Sequence, residues 1–172
     1  MYEVDDQDQV IELRGLPHSS VGAPLPCVLA DEHKVVLVYY LEERDPNWDG
    51  STIRIVDAAT SDEPIAIVRF NRCAVHTLGP PNDEAFSGHP LAKRGLRPYG
   101  VFRIDRSSWI RKLERMNAVH SQHLAERFGY LQHLIFTFHD STFECVCKDF
   151  EVTTTRGSIA ATIPEMVRRL GW

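Results

Sequence analysis

Residues 134–147 hold the pattern that most restricts the fold of this chain: two runs, LIFTFH and TFECVC, on either side of Asp140 and Ser141. Apolar and polar residues alternate along the runs, as in β-strands whose two faces meet different surroundings. Asp and Ser favour tight turns because their side chains bond to nearby backbone amides. We therefore predict a β-hairpin with its turn at Asp140 and Ser141.

The alternation gives the two faces of this hairpin different roles. We expect one face to belong to the core, with the side chains of Leu134, Phe136, Phe138, Phe143, Cys145 and Cys147. The other face carries His139 near the turn and Glu144, placed opposite Thr137, so that His139 and Glu144 are diagonal neighbours. A shift of one residue would exchange the faces. In the predicted register, the thiols and the acid–base side chains point in opposite directions and cannot form one site.

Three β-prone runs precede the hairpin, at residues 34–43, 52–59 and 65–73, and turn-rich segments connect them. Such runs with short connections predict an antiparallel three-stranded meander. A further short strand is predicted at residues 101–104, after a long segment that has no regular pattern.

Helical spacing of apolar residues predicts the main helix after this strand. One face of that helix carries Trp109, Leu113, Met116, His120 and Leu124. Ser107 is placed to cap the helix start and Gly129 its end. A second, short helix is predicted near the C-terminus, where residues 162–165 (TIPE) form a capping box and Gly171 follows the last turn.

The order β-β-β, loop, β-α-β-β-α predicts an α+β fold with a mainly antiparallel sheet. It consists of the N-terminal three-stranded meander and the C-terminal hairpin, packed with one main helix and a short C-terminal helix. We expect one domain over residues 1–172, with an irregular lead-in at 1–33 and a long irregular loop at 74–100. No apolar run approaches the roughly 20 residues needed to span a bilayer, so no membrane association is expected.

Cysteine usage and the N-terminal sequence predict a cytoplasmic location. The four cysteines contain no CxxC pair and are too scattered for a disulfide framework: Cys27, Cys73, Cys145 and Cys147. The acidic N-terminus also lacks the basic-then-apolar pattern of a secretory signal.

Charge is unevenly distributed along the chain, whose net charge is −5. Residues 1–33 carry one basic and seven acidic side chains, whereas residues 93–115 carry eight basic and two acidic ones. Either the two segments pair with each other in the fold, or the basic segment faces an anionic partner. Nucleic acid is the less suitable partner, because the net charge is negative and the aromatic residues of the basic segment are scattered.

The long loop is the better candidate for a site, because binding residues concentrate on loops held by a rigid scaffold. Within residues 76–99, the predicted ligand-binding residues are Lys93, Arg94, Arg97 and Tyr99. Arginine forks can bind a carboxylate or phosphate with two hydrogen bonds. The alternative is that these arginines pair with the acidic N-terminal third and the loop only packs over the sheet.

Acid–base and metal chemistry have fewer indications. The candidate catalytic residues are His76, His89, His139 and Glu144. His120 and His123 are three residues apart on the predicted helix and are the candidate ligands of a divalent metal, although no complete ligand motif is present and no cofactor is predicted.

Two functions follow from these patterns. The first is a small cytoplasmic binding or regulatory module that recognises a protein partner or an anionic ligand through residues 76–99 and the adjacent basic helix start. The second is a histidine-dependent hydrolase, with or without a metal.

Overall fold

The structure, a computed structural model, describes residues 2–43, 49, 51 and 55–172. In chain order the strands and α-helices are β1 Gln9–Glu12, β2 Cys27–Ala30, β3 Lys34–Tyr40, β4 Glu63–Asn71, β5 Val75–Gly79, β6 Val101–Asp105, α1 Ser108–Asn117, β7 Gln132–Thr137, β8 Thr142–Cys147, β9 Asp149–Gly157 and α2 Ile159–Leu170. Short 3₁₀ helices occur at Phe86–Gly88, Ala92–Arg94 and Ala125–Phe128.

The strands form two antiparallel sheets that face each other. The five-stranded sheet has the order β1-β6-β7-β8-β5, and the four-stranded sheet has the order β2-β3-β4-β9. The main core lies between them and draws side chains from both sheets, among them Tyr39, Phe70, Phe136 and Phe143. The predicted α+β class with antiparallel strands and two helices is confirmed.

The outer face of each sheet is also covered. On the four-stranded sheet, α2 packs Ile159, Met166 and Leu170 against β3 and β4. On the five-stranded sheet, α1 contributes Trp109, and the segment between β5 and β6 contributes Phe86, Leu91 and Leu96. Much of the predicted long loop is therefore a cover over the sheet, with apolar side chains at its base.

The predicted hairpin is formed by β7 and β8, and its apolar face belongs to the core. This face includes two of the three most deeply buried thiols, with Cys145 and Cys147 both 0% exposed and Cys73 6% exposed. Cys27, on β2, is only partly buried.

The register of the hairpin differs from the prediction by two residues. Thr142 pairs with Thr137, and Glu144 pairs with Ile135. The reason is a wider turn, in which the amide of Phe138 donates to the carbonyl of Ser141 (2.8 Å). Because a shift of two keeps every side chain on its face, the two faces are as predicted, but the predicted diagonal pair of His139 and Glu144 is wrong.

The N-terminal three-stranded meander is present, but one of its strands differs from the prediction. Runs 34–43 and 65–73 correspond to β3 and β4, and the third strand is β2, which lies in the predicted lead-in. Of the predicted strand at 52–59, residues 52–54 lie outside the described residues, and 55–59 form no strand.

Three more strands come from segments without a clear apolar pattern. β1 lies in the predicted lead-in and β5 in the predicted loop, and both are short outer strands with partly exposed residues. β9 was not predicted because most of its side chains are polar and exposed. It is nevertheless a full strand, because its backbone pairs with β4 along its whole length.

The helices begin and end at other residues than predicted. Ser107 caps α1 and accepts a hydrogen bond from the amide of Ile110, but the helix ends at Asn117 rather than near Gly129. α2 is capped by Ser158, so the capping box predicted at 162–165 is wrong, although Gly171 ends the helix as expected. In the described part of the chain, no helix is long and apolar enough to cross a membrane.

Candidate functional site

A pocket of about 390 Å³ lies at one end of the space between the two sheets. Its walls come from residues 12–19, from the turn at 97–101, from residues 136–138 and from Tyr39. The turn at 97–101 contains Arg97 and Tyr99, two of the four predicted ligand-binding residues, and both line the pocket.

Residues 12–19 form one wall because backbone hydrogen bonds tie them to both sheets. The amide of Leu13 donates to the carbonyl of Val101 on the five-stranded sheet (2.8 Å). At the other end, the carbonyl of His18 accepts from the amide of Glu42, which follows β3 (3.0 Å). The segment therefore bridges the sheets across the end of the core.

The opposite wall is a turn held by one buried threonine. The hydroxyl of Thr137, on β7, donates to the carbonyl of Arg97 (2.9 Å) and accepts from the amide of Gly100 (2.9 Å). A Cβ atom at position 100 would lie 2.7 Å from the ring of the buried Phe102, so any other residue there would have to displace this ring. Tyr99 has a φ of +60°, a left-handed conformation that is uncommon for residues other than glycine. These contacts fix where Arg97 and Tyr99 meet the pocket.

The rim of the pocket carries two arginines and one carboxylate. Arg97 forms an ion pair with Glu12, and Nε of Arg14 lies 3.9 Å from Oε2 of the same carboxylate. Arg14 is 90% exposed and Arg97 60% exposed, so both guanidinium groups are accessible from solvent. One carboxylate between two guanidinium groups leaves an excess positive charge at the pocket mouth.

Behind the pocket wall, the hydroxyl of Tyr99 joins a cluster with Asp83 and His139. Tyr99 donates to Oδ2 of Asp83, and Nδ1 of His139 lies 3.0 Å from that oxygen. The hydrogen bonds from Tyr99 and His139 lower the pKa of Asp83, and Asp83 in turn raises the pKa of Tyr99 to about 12. Nε2 of His139 lies 3.9 Å from Oδ1 of Asp140, which is longer than a hydrogen bond.

A second polar cluster is buried under the cover of the five-stranded sheet, around Glu144. Nε2 of His89 lies 3.1 Å from Oε1 of Glu144, and Nε2 of His133 lies 3.1 Å from Oε2. The hydroxyl of Tyr2 donates to the same Oε2 (2.9 Å). Burial alone would raise the pKa of Glu144, but the hydrogen bonds from His133 and His89 outweigh it and lower the pKa to about 2.

The neighbours of the two histidines orient both rings toward Glu144. Nδ1 of His89 accepts from the amide of Leu91 (3.1 Å), so Nε2 of this ring carries the proton that points at Glu144. Nδ1 of His133 lies 2.9 Å from Oγ of Ser107, which accepts from the amide of Ile110 at the start of α1. Both rings therefore direct Nε2 at the buried carboxylate.

We call these five residues the Glu144 network: Tyr2, His89, Ser107, His133 and Glu144. All of them are buried, and Tyr2 also stacks on Trp109 with ring centroids 4.8 Å apart. The network connects residues from the N-terminus, the loop, the start of α1 and the hairpin, so its contacts favour a structural role. His89 and Glu144 were catalytic candidates, and neither is exposed to solvent in this fold.

The remaining ligand-binding candidates lie elsewhere. Arg94 donates to the backbone carbonyls of Asp5 and Asp8, and Lys93 is exposed on the 3₁₀ helix Ala92–Arg94. Arg111 bonds to Asp5 (2.5 Å), and Arg97 bonds to Glu12. Three arginines of the basic segment therefore contact the acidic N-terminal part. Pairing between the two oppositely charged segments, the alternative interpretation of the charge pattern, therefore holds for these arginines.

The other histidine candidates do not converge with these clusters. His76 lies on β5, where burial lowers its pKa. His120 and His123 follow the end of α1, so they do not share a helix face; His123 contacts Glu114 (2.8 Å). Among the described residues, no group of three or more His, Cys, Asp or Glu side chains is placed to hold a metal ion.

Sequence reasoning missed Tyr2 and His133 as partners of Glu144 and Ser107 as the partner of His133. It also missed Glu12 and Arg14 as parts of the pocket. Strand alternation could have found His133, because it shares the polar face of the hairpin with Glu144. Glu12 and Arg14 lie in the predicted lead-in, where no pattern marked them. Comparison of the chain with protein-family models, curated proteins and solved structures finds no match.

Proposed function

We propose that this protein is a binding module that takes a small anionic ligand in the pocket between residues 12–19 and the turn at 97–101. The observation that carries the proposal is the pair of arginines, Arg14 and Arg97, that share the single carboxylate of Glu12 at the pocket mouth. A ligand carboxylate or phosphate would find an excess positive charge and exposed guanidinium donors there.

The size and lining of the pocket support an organic anion rather than a bare inorganic one. A volume of about 390 Å³ is at the lower end of the range for small-molecule sites, which runs from roughly 300 to 1,000 Å³. Leu13 and Leu16 add apolar surface below the charged rim. An aromatic or aliphatic acid with one anionic group would match this combination of a charged rim and an apolar interior.

Glu12 occupies the position that the ligand's anionic group would take, so the proposal gives it a competing role. Removing its charge while keeping its size should free both arginines for the ligand. Glu12→Gln should therefore bind anions more tightly than the natural chain, whereas Arg97→Ala and Arg14→Ala should bind them more weakly.

The test is a titration of the protein with benzoate, phenyl phosphate and inorganic phosphate, followed by calorimetry and by NMR shifts of the arginine side chains. We expect saturable binding of at least one organic anion, weakened roughly tenfold by Arg97→Ala, which corresponds to the loss of one charge-assisted contact of about 1.4 kcal/mol. Arg103→Ala is the matched control, because Arg103 pairs with Asp105 outside the pocket.

The proposal fails if no probe binds the natural chain, or if Arg97→Ala and Arg103→Ala change the affinity equally. In the second case the effect would come from overall charge and not from the pocket.

One observation favours a hydrolase as a second candidate. Nδ1 of His139 is bonded to Asp83, and the side chain of His139 is 40% exposed. Among the described residues, Nε2 has no hydrogen-bond partner, since Oδ1 of Asp140 lies 3.9 Å away. An oriented histidine with a free nitrogen can act as a general base toward water. Assays with p-nitrophenyl esters and phosphates test this candidate: it requires a rate that His139→Gln removes while the fold stays intact.

A cytoplasmic location remains part of the proposal. The four cysteines are free thiols, which supports a reducing compartment.

A further inference from the structure

Strand β9 forms one edge of the four-stranded sheet and is far longer than the other outer strands. It has nine residues, against four in β1, four in β2 and five in β5. Its pairing with β4 is continuous from Glu63 opposite Gly157 to Asn71 opposite Asp149. Among the described residues, no strand pairs with its other edge.

An edge of this length normally carries devices that prevent another strand from adding to it. Proline, bulges and unpaired charges are the usual ones. β9 contains no proline, and its uninterrupted register shows no bulge. Thr153, Thr154 and Thr155 form an exposed, uncharged centre, and threonine is well suited to strands.

The charged side chains of β9 are engaged within their own chain. Glu151 pairs with Arg69 (3.0 Å), and Arg156 pairs with Glu43 and donates to the carbonyl of Asp62 (2.9 Å). Asp149 accepts from the amide group of Asn71 (2.8 Å). These charges are therefore partly neutralised and present little barrier to an approaching strand.

Two copies of β9 pair more favourably in antiparallel than in parallel orientation, because parallel pairing in register would bring the acidic ends of both strands together. The acidic residues Asp149 and Glu151 lie in its first half and Arg156 in its second half. Full overlap of two such strands places the twofold axis at Thr153, opposes Phe150 to Arg156, and sets Glu151 opposite Thr155. Moving the axis one residue toward the N-terminus would instead oppose Lys148 to Arg156, two like charges.

We propose that β9 is a homodimer interface, in which two copies of the chain pair β9 with β9 about an axis at Thr153 and join their four-stranded sheets into one. The main-chain hydrogen bonds of the added strand supply the attraction, as in other cases of strand addition. Residues on the same face across the new pair, such as Glu151 and Thr155, fix the register.

Sedimentation of the untagged full chain at low ionic strength tests the proposal. The natural chain should form a species with twice its mass of 19.6 kDa, in reversible equilibrium with the monomer. Thr155→Glu places two pairs of like charges across the dimer, one between the new glutamate and Glu151 on each side of the axis, and should weaken dimerisation by roughly two- to thirty-fold. Thr155→Lys places two pairs of opposite charges there and should strengthen dimerisation by a similar factor.

Thr77→Glu and Thr77→Lys are the matched controls, because Thr77 is an exposed threonine on β5, the edge of the other sheet. Both should leave the equilibrium of the natural chain unchanged. A chain that remains monomeric at its highest soluble concentration overturns the proposal. So do Thr155 variants that both shift the equilibrium in the same direction, or that shift it no more than the Thr77 variants do.

Discussion

Glu144 and Glu12 are both bound by nitrogen donors, but the two carboxylates differ in exposure and in the kind of side chain that contacts them. The side chain of Glu144 is 5% exposed and accepts hydrogen bonds from two histidines and a tyrosine. Glu12 is 30% exposed and shares two arginines at the pocket rim. A buried carboxylate with buried partners holds the fold together, whereas a rim carboxylate with solvent-exposed partners can give them up to a ligand.

Removing each carboxylate in turn should have very different effects on stability. Glu144→Ala leaves three buried donors without an acceptor, and we expect a loss of about 3 kcal/mol or more in the free energy of unfolding. Glu12→Ala removes only surface ion pairs and should cost less than about 1 kcal/mol. Urea denaturation of both variants measures the difference, and equal losses would contradict the distinction.

Acid should reveal the same difference. The pKa of Glu144 is about 2 in the folded protein, against an ordinary value of 4.5, so the folded state prefers the ionised form. Its stabilisation is complete above the unfolded pKa and is lost as the pH falls from about 5 to 2, by an amount on the order of 3 kcal/mol. Unfolding measured across this range should depend less steeply on pH in Glu144→Gln, at a lower overall stability.

Thr137 connects the two regions, because it lies on the same face of the hairpin as Glu144 and also positions the pocket turn. Thr137→Val keeps the shape but removes the hydroxyl that holds Arg97 and Gly100. We expect a loss of roughly 1–2 kcal/mol in stability and weaker binding of benzoate or phenyl phosphate. If stability falls while affinity stays the same, the turn does not position Arg97 for the ligand.

Glu12→Gln should have the smallest effect on stability. This variant should unfold within about 0.5 kcal/mol of the natural chain, because the ion pairs it removes are exposed. Its affinity for the organic anions should nevertheless rise. Thermal unfolding and calorimetry on the same samples separate the two readouts, and an unchanged affinity would remove the competing role proposed for Glu12.

The fold class was predictable because apolar alternation marks strands that are buried on one face and continuous apolar runs mark strands that are buried on both. β3, β4, β7 and β8 all carry that signal. β9 carries little of it, since an outer strand is stabilised by its backbone pairing and not by buried side chains. Register was harder still, because the turn after β7 closes by a backbone hydrogen bond between Phe138 and Ser141 that leaves no mark in the sequence.

The candidate site was predictable only in part, because contacts between distant segments are not marked in the sequence. Arg97 and Tyr99 stood out as part of a basic, glycine-rich loop, and they line the pocket. Their neighbours in the chain, Lys93 and Arg94, share that composition but point to other surroundings. Local composition identifies the segment, whereas contacts between distant segments decide which of its side chains meet the pocket.

The placement of the four cysteines makes the separation of the two sheets measurable by thiol labelling. Cys27 is partly accessible, while Cys73, Cys145 and Cys147 are buried between the sheets. A thiol reagent should therefore label one site quickly and the other three only when the sheets separate. The slow phase would follow the opening of the core, so the effect of each substitution on sheet separation can be timed with the cysteines that the chain already has.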